Sequence, residues 1–407
     1  MTAPLLLGWI SLALVVQLVL GIAVAVRTRG AHHTPVESAR TAQAAWPGVR
    51  TFRIVARNFE DAAQSQCSFL LAPADGETLP PFKPGQFLTF AVPIAIAGDD
   101  VTAESVELVT RNYSLSDAPR ADGYRITVKR ARPPLDQPDA PAGLVSSYLH
   151  DRAMVGTLLD ARAPSGQFVL DPDPSVPVVL IGGGIGVTPL LSMLQWCLAE
   201  QPHRHVTLFY GVRSSADHAF REVLRDLAAT HPLFDLHVLY GAPDAGDVEG
   251  RDYTHTGLIT LGLIERVVPA GRHLYYVCGP SAMMATIVPG LEAAGVAAAD
   301  IHFEAFGPAS VRRRPVTSST TQASFAVQFR ESERTVMWDG TALTLLDFAE
   351  SNGIAIAAGC RSGSCGTCET RLVAGHITYE EPPEYDVSAG FCLPCVGIPA
   401  SAIALDA

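Results

Sequence analysis

From Ala3 to Val26 the chain is almost wholly apolar, broken only by Ser11, Gln17 and the glycines Gly8 and Gly21. A helix over 3–26 would be roughly 36 Å long, enough for a tilted membrane crossing. A cleaved signal peptide is the competing reading. It needs a basic segment ahead of the apolar run, yet no Lys or Arg precedes this one, while Arg27 and Arg29 follow it. The positive-inside rule then holds the C-terminal side in the cytoplasm. The expectation is one uncleaved transmembrane helix, followed by a polar, Ala-rich spacer over 27–46.

Beyond Trp46 the pattern shortens. The runs at 51–56, 67–71, 87–92 and 124–128 are β-prone and broken by Pro and Gly, which predicts an antiparallel barrel or sandwich over 47–173. Past residue 174, apolar strands at 178–181, 206–210, 236–240 and 274–278 alternate with helical stretches at 189–200, 219–229 and 282–294. Such alternation predicts a parallel, doubly wound α/β domain over 174–307. Residues 308–323, with Arg312 to Arg314 and a Ser/Thr run, read as a flexible linker with a reach of about 20 Å. The last segment, 324–407, opens on two strand-like runs, then a helix over 344–351 and a cysteine-rich loop.

That loop carries the most specific chemistry. Cys360, Cys365 and Cys368 give a C-x4-C-x2-C spacing, with Cys392 and Cys395 further on. Four thiolates so spaced suit a plant-type 2Fe–2S cluster, whereas zinc sites pair two short knuckles. Gly359, Gly363 and Gly366 let the backbone wrap closely around such a group.

Two further segments suit nucleotides. In Arg111-Asn-Tyr113-Ser114, expected to follow a strand, Arg111 can pair with a phosphate, Tyr113 can pack on a flavin ring and Ser114 can bond its edge. Downstream, Gly143 to His150 reads as a turn opening a helix, whose free N–H groups and serines suit a diphosphate. Then a buried strand enters Gly182-Gly-Gly-Ile-Gly186-Val-Thr188-Pro189, where Thr188 is expected to cap a helix starting at Pro189. Gly211-Val-Arg213 and Cys278-Gly279-Pro280 lie at other strand tips, where ligands of open α/β sheets sit. Cys278 reads either as part of that site or as a small buried hydrophobe.

Composition narrows the class. With 407 residues, 48% hydrophobic and 17% charged, the chain has material for several cores. A net charge of −12 argues against a nucleic-acid binder. The cysteines outside the cluster motif are scattered and show no disulfide framework, which fits a reducing compartment.

Together these motifs resemble the ferredoxin–NADP reductase superfamily, of the kind found in flavohaemoglobins and oxygenase reductases, fused to a plant-type ferredoxin. The resemblance covers 51–407. It implies an antiparallel β-barrel flavin domain, an α/β doubly wound nucleotide domain and an α+β β-grasp ferredoxin domain. It implies flavin contacts at Arg111, Tyr113, Ser114, Val145, Ser146 and Ser147, and FAD as the flavin. It implies nicotinamide-nucleotide contacts at Gly183, Gly184, Thr188, Arg213, Cys278, Gly279 and Pro280. Ser114, Cys278 and Glu304 would serve the hydride step, and Phe306 would cover the flavin ring. The Leu393-Pro394-Cys395 ending resembles ferredoxin modules whose cysteine in that place is the fourth ligand, giving Cys360, Cys365, Cys368 and Cys395 with Cys392 as the spare.

The function so implied is electron transfer from NADH, with NADPH not excluded, through FAD and the cluster to a one-electron acceptor protein: an oxygenase, a desaturase or a haem protein. A membrane-bound quinone or ferric reductase and a tethered redox sensor are the rival readings.

Overall fold

A computed structural model of the chain describes residues 45–46, 48–97, 104–133, 142–305 and 324–407, the last apart from 341, 343, 360–362, 364–365, 380–382, 384 and 386. The expected transmembrane helix over 3–26, nearly all of the spacer, the linker over 308–323, Phe306, Cys360 and Cys365 lie outside these residues. Among the described residues no helix is long and apolar enough to cross a membrane.

The first sheet is the expected antiparallel barrel. Its strands are β1 (Val49–Phe59), β2 (Gln66–Pro73), β3 (Phe87–Ala97), β4 (Glu104–Ser114), β5 (Tyr124–Lys129) and β6 (Leu158–Arg162), in the order β4-β3-β6-β1-β2-β5. An antiparallel bridge between Leu115 and Ile126 joins the two ends and closes the sheet. Closure removes the exposed edges that an open sheet would present. Phe52, Ile54, Phe69, Leu88, Phe90 and Ile126 fill the interior. Trp46, assigned from the sequence to the spacer, belongs to this core: its indole donates to the Ala161 carbonyl at 3.4 Å and stacks on Tyr124. The Arg111–Ser114 motif lies within β4 and does not follow a strand as expected. Helix α1 (Leu144–Asp151) packs beside the barrel, starting from the expected turn at Gly143.

The second sheet is parallel throughout its described pairs, ordered β10-β9-β8-β7-β11-β12. Its strands are β7 (Val178–Gly183), β8 (Val206–Val212), β9 (Phe234–Tyr240), β10 (His255–Thr256), β11 (Leu274–Gly279) and β12 (Ile301–Ala305). Helices α2 (Val187–Glu200), α3 (Arg221–Thr230), α4 (Leu261–Val267) and α5 (Ser281–Ala293) connect them. Every residue of β7 and β11 is buried, as expected where helices cover both faces. The chain runs outward from β7 through β8, β9 and β10, then returns to lay β11 on the other side of β7. The β7–β11 boundary is therefore the topological switch point, where α/β sheets open a crevice for ligands.

Several bonds join barrel and sheet domain. Ala63 N–H donates to the Ala216 carbonyl at 2.9 Å, and the Gln66 amide to Asp217 at 3.0 Å. Ser192 Oγ donates to the Asp117 carbonyl at 2.7 Å, and the Arg125 guanidinium lies over the Phe220 ring at 5.3 Å.

The C-terminal domain pairs β13 (Phe325–Phe329) antiparallel with β14 (Arg334–Trp338) and parallel with β19 (Ile403–Leu405). The sheet continues through β15 (Thr370–Ala374) to β17 (Phe391–Cys392), while β16 (Ile377–Tyr379) pairs with β18 (Gly397–Pro399). Helix α6 (Leu345–Ser351) lies across the sheet, with Thr344 accepting from Asp347 N–H as its cap. A hairpin, a helix and a returning parallel strand make the expected β-grasp arrangement.

One buried histidine makes the fold sensitive to acid. His218 shares a 2.9 Å hydrogen bond between Nδ1 and the Tyr240 hydroxyl, and burial pushes its pKa down to about 4 from 6.5. Between those values the unfolded chain carries a proton that the fold does not, so stability rises with pH across the window and is lost as pH falls through it. From pH 6.5 to 4 this group is expected to cost at most about 3 kcal/mol. Urea unfolding across that range should show the loss, and His218→Gln should flatten it; an unchanged slope in the variant would contradict the assignment.

Candidate functional site

The glycine-rich turn and the Cys278-Gly279-Pro280 segment meet at the switch point. Gly184–Gly186 forms a single 3₁₀ turn, with Gly184 in the left-handed region at φ +53°. A Cβ on Gly186 would lie 2.2 Å from the Cys278 carbonyl oxygen, and one on Gly183 would lie 2.6 Å from Pro280 Cδ. A Cβ on Gly279 would lie 2.9 Å from Gly183 N. Side chains are excluded here because two backbones touch. The turn leads directly into α2, which begins at Val187 with Gly186 as its cap. The helix thus starts two residues earlier than expected, and Thr188 does not cap it. The buried Thr188 hydroxyl donates instead to the Ile185 carbonyl at 2.9 Å, and Pro189 takes the third helical position, where no N–H is needed. The arrangement keeps a helix N-terminus beside a strand tip, where the helix dipole favours an anion.

Cys278 is fully buried and pairs in register with Glu304 on β12. Burial, with the Glu304 carboxylate nearby, pushes its thiol well above the ordinary range. It is therefore a neutral packing group at the tip, and its backbone forms the floor against Gly186. Arg213 lies exposed just past β8, one strand away from the glycine turn, and its carbonyl accepts from Ala242 N–H at 2.8 Å.

On the barrel, Arg111 is exposed and donates to the Thr110 carbonyl at 2.7 Å. Tyr113 stands beside Phe90, and burial raises its hydroxyl pKa. Ser114 is buried at the end of β4. Val145 is buried in the barrel core. Ser146 is engaged within the protein: its hydroxyl donates to the Gly143 carbonyl at 3.0 Å and accepts from Ala131 N–H at 3.1 Å. Ser147 is half-buried, and its N–H donates to Gly143.

The structure adds a residue that the sequence reading missed. Lys129 ends β5, and its Nζ would lie 4.0 Å from a Cβ built on Gly184. The Leu115–Ile126 bridge sets the end of the Arg111–Ser114 segment against the same strand. Strand β5 therefore meets both the end of the flavin motif and the glycine turn. A lone Lys at a strand end carries no local signal, so only the docking of the two domains reveals it.

In the C-terminal domain Cys368 and Cys395 are buried in one small cluster with Leu346 and Leu393. Cys392 instead pairs with Thr370 in the sheet and packs in the main core, where burial pushes its thiol up to about 12. Gly363 and Gly366 adopt left-handed φ of +76° and +72°. These features fit thiolate ligation of a cluster, to which Cys368 and Cys395 would contribute. Among the described residues no three such ligands converge, two of the expected four lying outside them.

Comparison with known proteins agrees with this reading. Residues 180–288 match the oxidoreductase NAD-binding domain and residues 327–400 the 2Fe–2S iron–sulfur cluster binding domain. A flavohaemoprotein of Rhizobium meliloti is 39% identical over 263 residues, 65% of this chain and 62% of that protein. The chain thus spans less than two thirds of that relative's length. The flavohaem-like FAD/NAD-binding domain of nitric oxide dioxygenase from Vibrio cholerae O1 biovar El Tor superimposes with a TM-score of 0.54 at 34% identity, over 64% of this chain and 99% of that one. Phthalate dioxygenase reductase, described as modular for electron transfer from pyridine nucleotides to 2Fe–2S, matches at 25% identity with a TM-score of 0.51, over 88% of this chain and 98% of that one. The chain belongs to the oxidoreductases of the ferredoxin–NADP reductase type, with an NAD-binding domain and a 2Fe–2S domain.

The close approach at the switch point is testable. Gly186→Ala forces the turn off the Cys278 carbonyl and is expected to cost about 1–3 kcal/mol, as overpacking of a dense interior does. NADH affinity should fall with it. Urea denaturation and NADH titration measure both, and wild-type values in each would contradict the role given to this contact.

Proposed function

We propose that the protein is an NADH-dependent reductase that takes a hydride at the β7–β11 crevice and delivers single electrons through its 2Fe–2S domain to a one-electron acceptor protein. FAD is the flavin. When bound, it accepts two electrons together and releases them singly, and the cluster carries one at a time. The observation that supports this reading is β5, which meets the end of the barrel motif at Ile126 and the glycine turn at Lys129.

This chain's own residues supply binding and order. Arg111 and the start of α1 would hold the flavin's phosphates, Tyr113 would pack on its ring and Ser114 would bond its edge. The Gly183–Gly186 turn receives the nucleotide's pyrophosphate, and the Cys278–Pro280 backbone walls the nicotinamide end away from water. Glu304 stands beside Cys278 at that wall, and Phe306 would cover the flavin until nicotinamide displaces it. Arg213, exposed past β8, would meet the adenosine end. The acceptor we propose is an oxygenase, a desaturase or a haem protein. The apolar segment over 3–26 would hold the enzyme on the cytoplasmic face of the membrane, with the catalytic domains inside.

Cys395→Ser is expected to abolish the 2Fe–2S spectrum and lower reduction of a one-electron protein acceptor such as cytochrome c by at least about tenfold. Flavin reduction by NADH should persist in that variant, and Cys392→Ser should be nearly silent in all three measurements. Loss of the cluster in Cys392→Ser with its retention in Cys395→Ser would overturn the ligand choice. Turnover with soluble quinones or ferric chelates but no protein acceptor would favour the quinone or ferric reductase. Full cofactor loading without turnover would favour a sensor.

A further inference from the structure

Tyr385 is held by the cluster loop at three points. Its backbone N–H donates to the Gly363 carbonyl at 3.0 Å, and its hydroxyl donates to Glu369 Oε2 at 3.3 Å. Its ring lies so close to Gly366 that a Cβ there would sit 2.2 Å from the ring edge. Gly363, Gly366 and Glu369 bracket Cys365 and Cys368, so the ring is fixed to the loop that carries the cluster ligands. Glu369 is fixed in turn, accepting from Ser388 N–H at 2.7 Å.

The same ring also meets the flavin barrel. The Arg162 guanidinium lies over it, 5.5 Å from the centroid. Arg162 ends β6 and pairs with Val49. Its neighbour Ala161 pairs with Phe90, which pairs with Arg111 of the flavin motif. Arg162 thus lies one residue and two strand spacings, roughly 10 Å, from the start of that motif. A cation over an aromatic face is an attractive contact with little penalty for breaking, which suits a domain that must dock and leave.

We propose that Arg162 and Tyr385 form the docking contact through which the cluster loop engages the flavin barrel, and that this contact sets how fast the cluster is reduced. Both are positioning residues; neither touches a reacting atom. The proposal rests on the reading of flavin-to-cluster transfer given above. Arg162 is exposed and belongs to the barrel, outside the cluster loop, whereas truncating Tyr385 would disturb Gly366. The test therefore alters the arginine.

In anaerobic stopped-flow experiments on the full, cofactor-loaded chain, Arg162→Ala should leave flavin reduction by NADH and the oxidised cluster spectrum unchanged. Cluster reduction should slow by about three- to tenfold, and Arg162→Lys should recover part of the rate. Small-angle scattering with the detergent contrast-matched should show the Ala variant more extended than the parent. A parental cluster-reduction rate, or a parental scattering profile, in Arg162→Ala would overturn the proposal. Failure of NADH to reduce the cluster in the parent protein would instead overturn the functional reading, and the scattering comparison would still judge the docking contact.

Discussion

The backbone of the β7 turn and the backbone at the tip of β11 approach more closely than any side chain would permit. Gly183, Gly186 and Gly279 face one another across this seam, and a methyl group at any of them would collide with main-chain or proline atoms. Because the parallel pairing of β7 and β11 fixes both strand tips, the seam cannot open without breaking the centre of the sheet. The helix start at Val187, the floor at Cys278 and the crevice above both inherit their positions from it. A dinucleotide needs such a surface, since its pyrophosphate must come within hydrogen-bond reach of bare N–H groups.

The crevice is completed by the barrel. Bonds from Ala63, Gln66 and Ser192 and the Arg125–Phe220 contact hold the two domains in one orientation. That orientation brings Lys129 beside the glycine turn, so a positive charge at the turn comes from the neighbouring domain. Between barrel and C-terminal domain the Arg162–Tyr385 contact is of a weaker kind. The contrast suits the tasks: hydride transfer wants a rigid pair, and delivery to a separate acceptor wants a domain that can leave.

Much of this was legible in the chain. The nucleotide domain's strands and helices announce themselves through apolar runs, glycine punctuation and length, and the cysteine spacing names its cluster. The misses have physical causes. Trp46 was assigned to the spacer because one aromatic beyond a polar stretch has no periodicity, yet it packs in the barrel core. Thr188 looks like a cap before Pro189, but the 3₁₀ turn of Gly184–Gly186 feeds the helix earlier. The Ser146 hydroxyl bonds Gly143 and Ala131, a local pairing that no sequence pattern shows. Lys129, Arg162 and Tyr385 belong to contacts between domains, which no local pattern encodes.

The central claim is that one chain accepts electron pairs as hydride and passes electrons onward singly. Anaerobic titration of the full, cofactor-loaded protein with NADH, followed by flavin and cluster absorbance and by electron paramagnetic resonance, tests it most directly. The account predicts complete reduction at about 1.5 equivalents of NADH, two electrons going to the flavin and one to the cluster. An endpoint near about one equivalent, with the cluster still oxidised, would contradict it.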